Sequence, residues 1–229
     1  SNEMAAQVPG HGLADEVVVE EPLEIRVAQD KLMVTMRTPG DDARLTLGFL
    51  FGEGVIGHRD DIGQLAHCGR PDEEGYGNVI DATPGAGVTL DIDALSASRR
   101  TSTTTSACGV CGRASIEDLL ARVTPVADGR EVTARELERA LAALEGAQEN
   151  FARTGGLHAA AALDAGGDIL AFAEDVGRHN AVDKVIGRLV ADGRLPDPEG
   201  KHARLLAVSG GSSFEIVQQF CRARTARRP

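Results

Sequence analysis

Leu157-His158-Ala159-Ala160-Ala161-Ala162-Leu163-Asp164-Ala165-Gly166-Gly167-Asp168-Ile169-Leu170-Ala171-Phe172-Ala173 holds two apolar runs divided by a glycine turn. Such runs read as two strands of a buried hairpin. Upstream, Thr133-Ala134-Arg135-Glu136 has the spacing of a capping box, after which Leu137, Leu141 and Leu144 recur at helical intervals through Glu149. Downstream, Asn180 is placed to cap a helix whose Val182, Val185, Ile186 and Leu189 share one face, with Gly193 ending it. Arg204 to Val208 reads as another buried strand, and Ser212-Ser213-Phe214-Glu215 starts a further helix. The order α, β, β, α, β, α describes a layered α/β domain.

The first part of the chain follows a different pattern. Residues 1 to 15 are polar, include Pro9, Gly10 and Gly12, and are expected to be disordered. Val17 to Glu20, Leu23 to Ala28 and Lys31 to Arg37 read as short strands, the last two joined by a Gln29-Asp30 turn. Thr38-Pro39-Gly40 breaks the strand, and Asp41-Asp42 lead a short, mostly buried helix over Leu45 to Leu50 that stops at Gly52 and Gly54. Between Ile62 and about Ile92, runs such as Asn78-Val79-Ile80 and Gly87-Val88-Thr89-Leu90-Asp91-Ile92 suggest further strands. A stretch rich in Ala, Ser and Thr marks a boundary near residues 94 to 106. The expected organisation is therefore a disordered 1–15, a β-rich 16–100, a cysteine-bearing loop at 101–115 and an α/β domain at 116–229. The fold class is α/β, or α+β when the two regions are taken together.

At 229 residues the chain can bury a real core without a disulfide or metal staple. Its four cysteines, Cys68, Cys108, Cys111 and Cys221, do not form a secreted disulfide framework, and no apolar run approaches membrane length, which together suggest the cytoplasm. A formal charge of −11, from 35 acidic and 24 basic side chains, repels a phosphate backbone, and aromatic residues for base stacking are scarce, so neither nucleic acid nor membrane is an expected partner. Arg222, Arg224, Arg227 and Arg228 crowd the tail without an amphipathic period, which suits a truncated or out-of-frame end better than a basic arm.

Cys108-Gly109-Val110-Cys111 lies between a Thr/Ser run and a helix expected to begin near Ser115. The helix N-terminus and Arg113 both favour thiolate over thiol, and Gly109 and Gly112 let a tight loop expose both sulfurs. On spacing alone, half of a zinc site, a thioredoxin-like dithiol and sulfur-transfer or other thiolate chemistry all remain open. Three glycine or strand-to-helix junctions add polar groups. Gly155-Gly156 precede His158, which is either a hydrogen-bonded core residue or a pocket-lining one. Asp175, Arg178, His179 and Asn180, with Asp183 and Lys184 one turn on, can hold an anion at a helix N-terminus or form an ordinary capping and salt-bridge cluster. Ser209-Gly210-Gly211 permits close approach to phosphate, and two such junctions favour a nucleotide-like ligand.

Taken together these motifs resemble the formate dehydrogenase accessory sulfurtransferase family, FdhD/NarQ. The resemblance is carried by Glu21-Pro22-Leu23, Met36-Arg37-Thr38-Pro39-Gly40-Asp41-Asp42, Leu47-Gly48-Phe49-Leu50, Cys108-Gly109-Val110-Cys111-Gly112, Thr154-Gly155-Gly156-Leu157-His158, Glu174 through Lys184, and Ser213 through Val217. It implies a cytidine deaminase-like α/β/α domain over 116–229. It also implies a sulfurtransferase that takes persulfide sulfur from a cysteine desulfurase and delivers it to bis-molybdopterin guanine dinucleotide, carrying molybdenum or tungsten, for formate dehydrogenase. Cys108 would carry the sulfur, with Cys111 assisting, resolving or protecting it. Gly155, Gly156, His158, Asp175, Arg178, His179, Asn180 and Ser209 would face the guanine-nucleotide moiety of the cofactor. A homodimer and no permanently bound metal are implied. A cofactor-binding chaperone without catalysis and a zinc-binding structural module are the competing functions. Ala159-Ala160 follow His158 where a deaminase places its catalytic glutamate, which disfavours zinc deamination. The chain departs from the family at Gly211, where an arginine is usual. It departs again after Gln218, where the expected last strands of the sheet give way to Phe220 through Pro229.

Overall fold

The computed structural model describes residues 5–9, 14–70, 72–73, 75–90, 131–197 and 202–225. The first strands are Ala5–Pro9 (β1) and Ala14–Val18 (β2), paired antiparallel. Of the expected disordered 1–15, residues 5–9 and 14–15 are therefore strand, while 1–4 and 10–13 lie outside the described residues. Backbone pairing between the two segments supplies the order that their few apolar residues do not, and β2 leans on the second half of the chain, where Arg153 bonds to Glu16 at 2.6 Å.

Glu21–Val27 (β3) and Asp30–Arg37 (β4) form the hairpin expected around Gln29. Ala28 and Gln29 both take positive φ, 50° and 74°, as a tight hairpin turn demands. Ile62–His67 (β5) and Val79–Pro84 (β6) complete a four-stranded sheet of order β4-β3-β6-β5, in which β6 runs parallel to β3. Only part of the strand read at Gly87 to Ile92 lies within the described residues. There Val88 donates its N–H to Gly85 O in a turn, and residues 87–90 are not strand.

Asp42–Glu53 (α1) closes this half. Arg37, 2% exposed, holds the helix start through Nε to Asp42 Oδ1 at 2.9 Å and Nη2 to Oδ2 at 3.1 Å. Gly54, at φ 82°, ends the helix as the sequence indicates.

Among the described residues the second half begins with Ala134–Ala147 (α2), whose capping box forms as read: Thr133 N–H donates to Glu136 Oε2 at 2.7 Å, and Glu136 N–H donates to Thr133 Oγ1 at 3.2 Å. The Thr133 N–H, and with it the Thr133 hydroxyl at 2.8 Å, lowers the Glu136 carboxyl from its ordinary value. Its contribution is therefore present above that ordinary value and is lost as pH falls through the lowered value. The buried stripe differs from the one expected. Ala140 and Leu144 face the sheet, while Leu137 and Leu141 are 49% and 59% exposed, because an alanine-rich strand is met most closely by a small side chain.

Glu149–Thr154 (α3) leads into His158–Leu163 (β7), and Ile169–Asp175 (β8) returns antiparallel, with His158 opposite Asp175. Arg178–Ala191 (α4), Leu205–Val208 (β9) and Phe214–Thr225 (α5) follow in the expected order. The sheet order is β8-β7-β9, so β7 is central. Its side chains alternate between two cores: Ala160 and Ala162 join the larger one with α4, and Ala159, Ala161 and Leu163 join α2. This is the α/β/α layering. The tail reading changes too, since Phe220 through Thr225 extend α5, with Gln219 and Ala223 buried. Gln219 Nε2 donates to Asp183 Oδ1 on α4, a tertiary partner that leaves no trace in the local periodicity of the tail.

The larger core draws Leu23, Ile25 and Phe51 from the first half together with Val182, Val185 and Ile186 from the second. Helices α1 and α4 cross at bare backbone. A Cβ at Gly48 would stand 1.8 Å from Asp183 O, and one at Gly187 would stand 1.8 Å from Arg44 O. Beside this crossing, Asp175 is wholly buried and binds Lys184 Nζ at 2.7 Å, while Lys184 also donates to Thr38 O at 2.9 Å. Asn180 lies inside the first turn of α4, with Gly177 as the cap, rather than capping the helix itself. Its Nδ2 instead reaches Met36 O at 2.8 Å.

Two substitutions separate these effects in urea unfolding. Gly48→Ala should cost about 1–3 kcal/mol or more by forcing the helices apart. Gly146→Ala on α2, where a Cβ meets nothing within 4 Å, should instead add about 0.5–1 kcal/mol. Lys184→Met leaves a buried carboxylate without its cation and should cost about 3–5 kcal/mol; an unchanged midpoint would show the pair to be dispensable.

Candidate functional site

Antiparallel pairing brings the start of β7, the end of β8 and the residues after β9 to one end of the three-stranded sheet. Helices α4 and α5 begin at that same end. The candidate residues His158, Asp175, Arg178, His179, Asn180 and Ser209 therefore gather at one corner although they span more than fifty positions of sequence.

They do not all face outward. Asp175 accepts Gly177 N–H at 2.8 Å and Asn180 Nδ2 at 3.0 Å on Oδ1, and Thr38 N–H at 3.2 Å and Lys184 Nζ at 2.7 Å on Oδ2. Asn180 divides its amide between Asp175, Met36 O and the Thr35 hydroxyl. For these two the ligand-facing expectation is corrected, because burial and a full set of internal partners leave neither side chain a free face. They build the corner. Neighbouring Glu174 is spent in the same way, accepting Asn150 N–H, Asn150 Nδ2 and Phe151 N–H at 3.1, 2.9 and 2.8 Å to hold the start of α3.

Gly155 and Gly156 form the exposed turn between α3 and β7. Gly155 takes φ 66° as the αL cap, donating to Phe151 O at 2.7 Å. Ser209 is exposed, and its Oγ accepts Ala159 N–H at 2.8 Å, which leaves the hydroxyl proton available to a ligand.

His158 and Arg178 flank Gly210: a Cβ built there would lie 3.2 Å from His158 Nδ1 and 3.8 Å from Arg178 Cδ. Arg178 Nε is buried and finds no acceptor among the described residues. An unsatisfied buried guanidinium donor is costly, which suits this one to an acceptor beyond the described residues, such as a bound anion. His179 Nε2 and Ser213 Oγ lie 2.7 Å apart and join the first turns of α4 and α5. The first turn of α4 carries no acid, and the two acids of the preceding strand are already engaged. The corner thus presents cationic and N–H donors, which is the chemistry of an anion site.

Gly210 and Ser213 were legible only as parts of a strand-turn-helix junction, without roles. Thr38 carried no local signal, since its partners lie more than 130 positions away. Cys108 and Cys111 lie outside the described residues, as does the whole 101–115 loop. Cys68 and Cys221 are half-buried, free thiols. Among the described residues, no helix is long and apolar enough to cross a membrane.

Comparison with known proteins places this arrangement. A model of the FdhD/NarQ family matches residues 18–226, extending the match beyond Gln218 and through all of α5. The sulfur carrier protein FdhD of Anaeromyxobacter dehalogenans is 50% identical over 216 residues, covering 93% of this chain and 75% of the relative. That of Mycobacterium tuberculosis is 45% identical over 224 residues, covering 91% and 78%. A crystal structure from Desulfotalea psychrophila, of a candidate formate dehydrogenase accessory protein, superposes with a TM-score of 0.63 at 20% identity, covering 95% of this chain and 78% of that one, and shows a shared fold. With the family match spanning residues 18–226 and half of the aligned positions identical in one relative, the chain belongs to the FdhD/NarQ family.

Proposed function

We propose that this protein is a sulfur carrier that takes sulfane sulfur from a cysteine desulfurase and delivers it to bis-molybdopterin guanine dinucleotide for formate dehydrogenase. The Cys108 thiolate attacks the outer sulfur of the desulfurase persulfide. The donor S–S bond breaks, the donor cysteine leaves as thiolate, and Cys108 holds the transferred sulfur. Cys111 can then attack the inner sulfur, expelling sulfide and leaving a Cys108–Cys111 disulfide that a dithiol reductant reopens. The metal of the client cofactor is the sulfur acceptor.

The observation that carries the cofactor side of this reading is the buried, unsatisfied Arg178 Nε beside His158 and the open backbone of Gly210. A phosphate or pyrophosphate oxygen of the guanine-nucleotide moiety supplies the missing acceptor. The contacting groups would be Arg178, His158, His179 and the Ser209 hydroxyl, with Gly155 and Gly156 bounding the turn opposite. Support for the sulfur side comes from the family relatives named as sulfur carriers and from the CxxC spacing.

Incubation with a cysteine desulfurase and cysteine should add one reducible sulfur atom to the protein by mass spectrometry, and Cys108→Ala should abolish the addition. An unaltered wild-type mass, under conditions that load a control acceptor, refutes the sulfur-carrier reading. Calorimetry with GDP tests the cofactor side independently: Arg178→Gln should weaken binding about tenfold or more, the worth of a charged hydrogen bond. Equal affinity would remove Arg178 from the site.

A further inference from the structure

Thr38 belongs to the first half of the chain and contributes no atom to the proposed nucleotide contacts, yet each of its polar groups is committed to the corner that carries them. Its N–H donates to Asp175 Oδ2 at 3.2 Å, its Oγ1 accepts Val176 N–H at 3.0 Å, and its carbonyl accepts Lys184 Nζ at 2.9 Å. It is 0% exposed. Met36 and Thr35, just before it on β4, bind Asn180 in the first turn of α4. The residues being held, Asp175 and Val176, end β8 and lead directly through Gly177 into Arg178 and His179.

We infer that Thr38 is a positioning residue for Arg178: by fixing the backbone of the β8-to-α4 corner, the N-terminal sheet sets the direction of a guanidinium on the other half of the molecule. This rests on the reading of Arg178 as a phosphate contact. The physical basis is the shortness of the path. Two covalent steps separate Val176 from Arg178, and the cap of α4 is Gly177, which has no side chain of its own and is held through its N–H by Asp175, the same carboxylate that Thr38 N–H binds. Loss of the hydroxyl acceptor leaves the Val176 N–H without its buried partner, and the corner must turn to find another. Arg178 moves with it.

The test uses the full chain and GDP as probe. Thr38→Val keeps the shape of the side chain and removes the acceptor; GDP binding should weaken about tenfold or more as the part-buried Val176 N–H loses its partner and the corner shifts. Desulfurase-dependent loading of Cys108 should be unchanged. Thr38→Ser, which keeps the hydroxyl and sheds only a methyl group, should bind GDP as wild type does. Ile25→Val, in the core of the same sheet, controls for general destabilisation: it should lower the melting temperature without altering GDP affinity. The inference is overturned if Thr38→Val binds GDP as wild type does, if Thr38→Ser binds as weakly as Thr38→Val, or if Ile25→Val weakens binding equally. A wild-type protein that fails to bind GDP overturns the nucleotide reading itself and this inference with it, whereas unaltered binding by Thr38→Val sinks this inference alone.

Discussion

One buried carboxylate organises the molecule. Asp175 sits without solvent at the end of β8 and draws donors from three directions: Lys184 from one turn inside α4, Gly177 and Asn180 from the helix start, and the Thr38 backbone from the other half of the chain. A charge in such a place is costly unless it is paired and its remaining lone pairs are occupied. Here both conditions hold only when the two halves are assembled. The same contacts that satisfy the charge therefore fix where β4 meets α4, and through that the corner where Arg178, His158 and Gly210 converge.

Small residues make that assembly close enough to work. Gly48 and Gly187 allow α1 and α4 to touch backbone to backbone, where any side chain would collide with a carbonyl oxygen. The alanines of β7 do the same for the sheet, which receives α4 on one face and α2 on the other. Close layers shorten the reach of polar side chains. Lys184 can therefore span from α4 to Thr38 O while staying buried. Packing and electrostatics here are a single constraint, since widening the helix crossing would draw Thr38 away from Asp175.

Division of labour within the charged segment explains the character of the corner. Glu174 and Asp175 are adjacent, but strand alternation sends them to opposite faces, one to hold α3 and the other to hold α4. Their negative charge is used internally. What remains toward the outside is Arg178 and a helix start without an acid in its first turn. An anionic nucleotide is suited to such a surface, even though the chain as a whole is strongly acidic.

The sequence by itself determined several elements of the second half, because capping boxes, glycine stops and apolar runs are local signals. The hairpin around Ala165 to Gly167, the helix over Val182 to Leu189 and the Thr133–Glu136 cap all appear where those signals put them. It also marked the cluster from Glu174 to Lys184 as polar chemistry at a strand-to-helix junction, while leaving open whether that chemistry binds or braces. Tertiary structure alone decided which residue does which. Asp175 and Asn180 turn inward because Thr38, Met36 and Lys184 meet them there. Leu137 and Leu141 turn out because alanine packs closer on β7, and Phe220 through Thr225 become helix because α4 offers α5 a polar partner. None of these partners is near in sequence, and burial is a property of the assembled layers rather than of any segment.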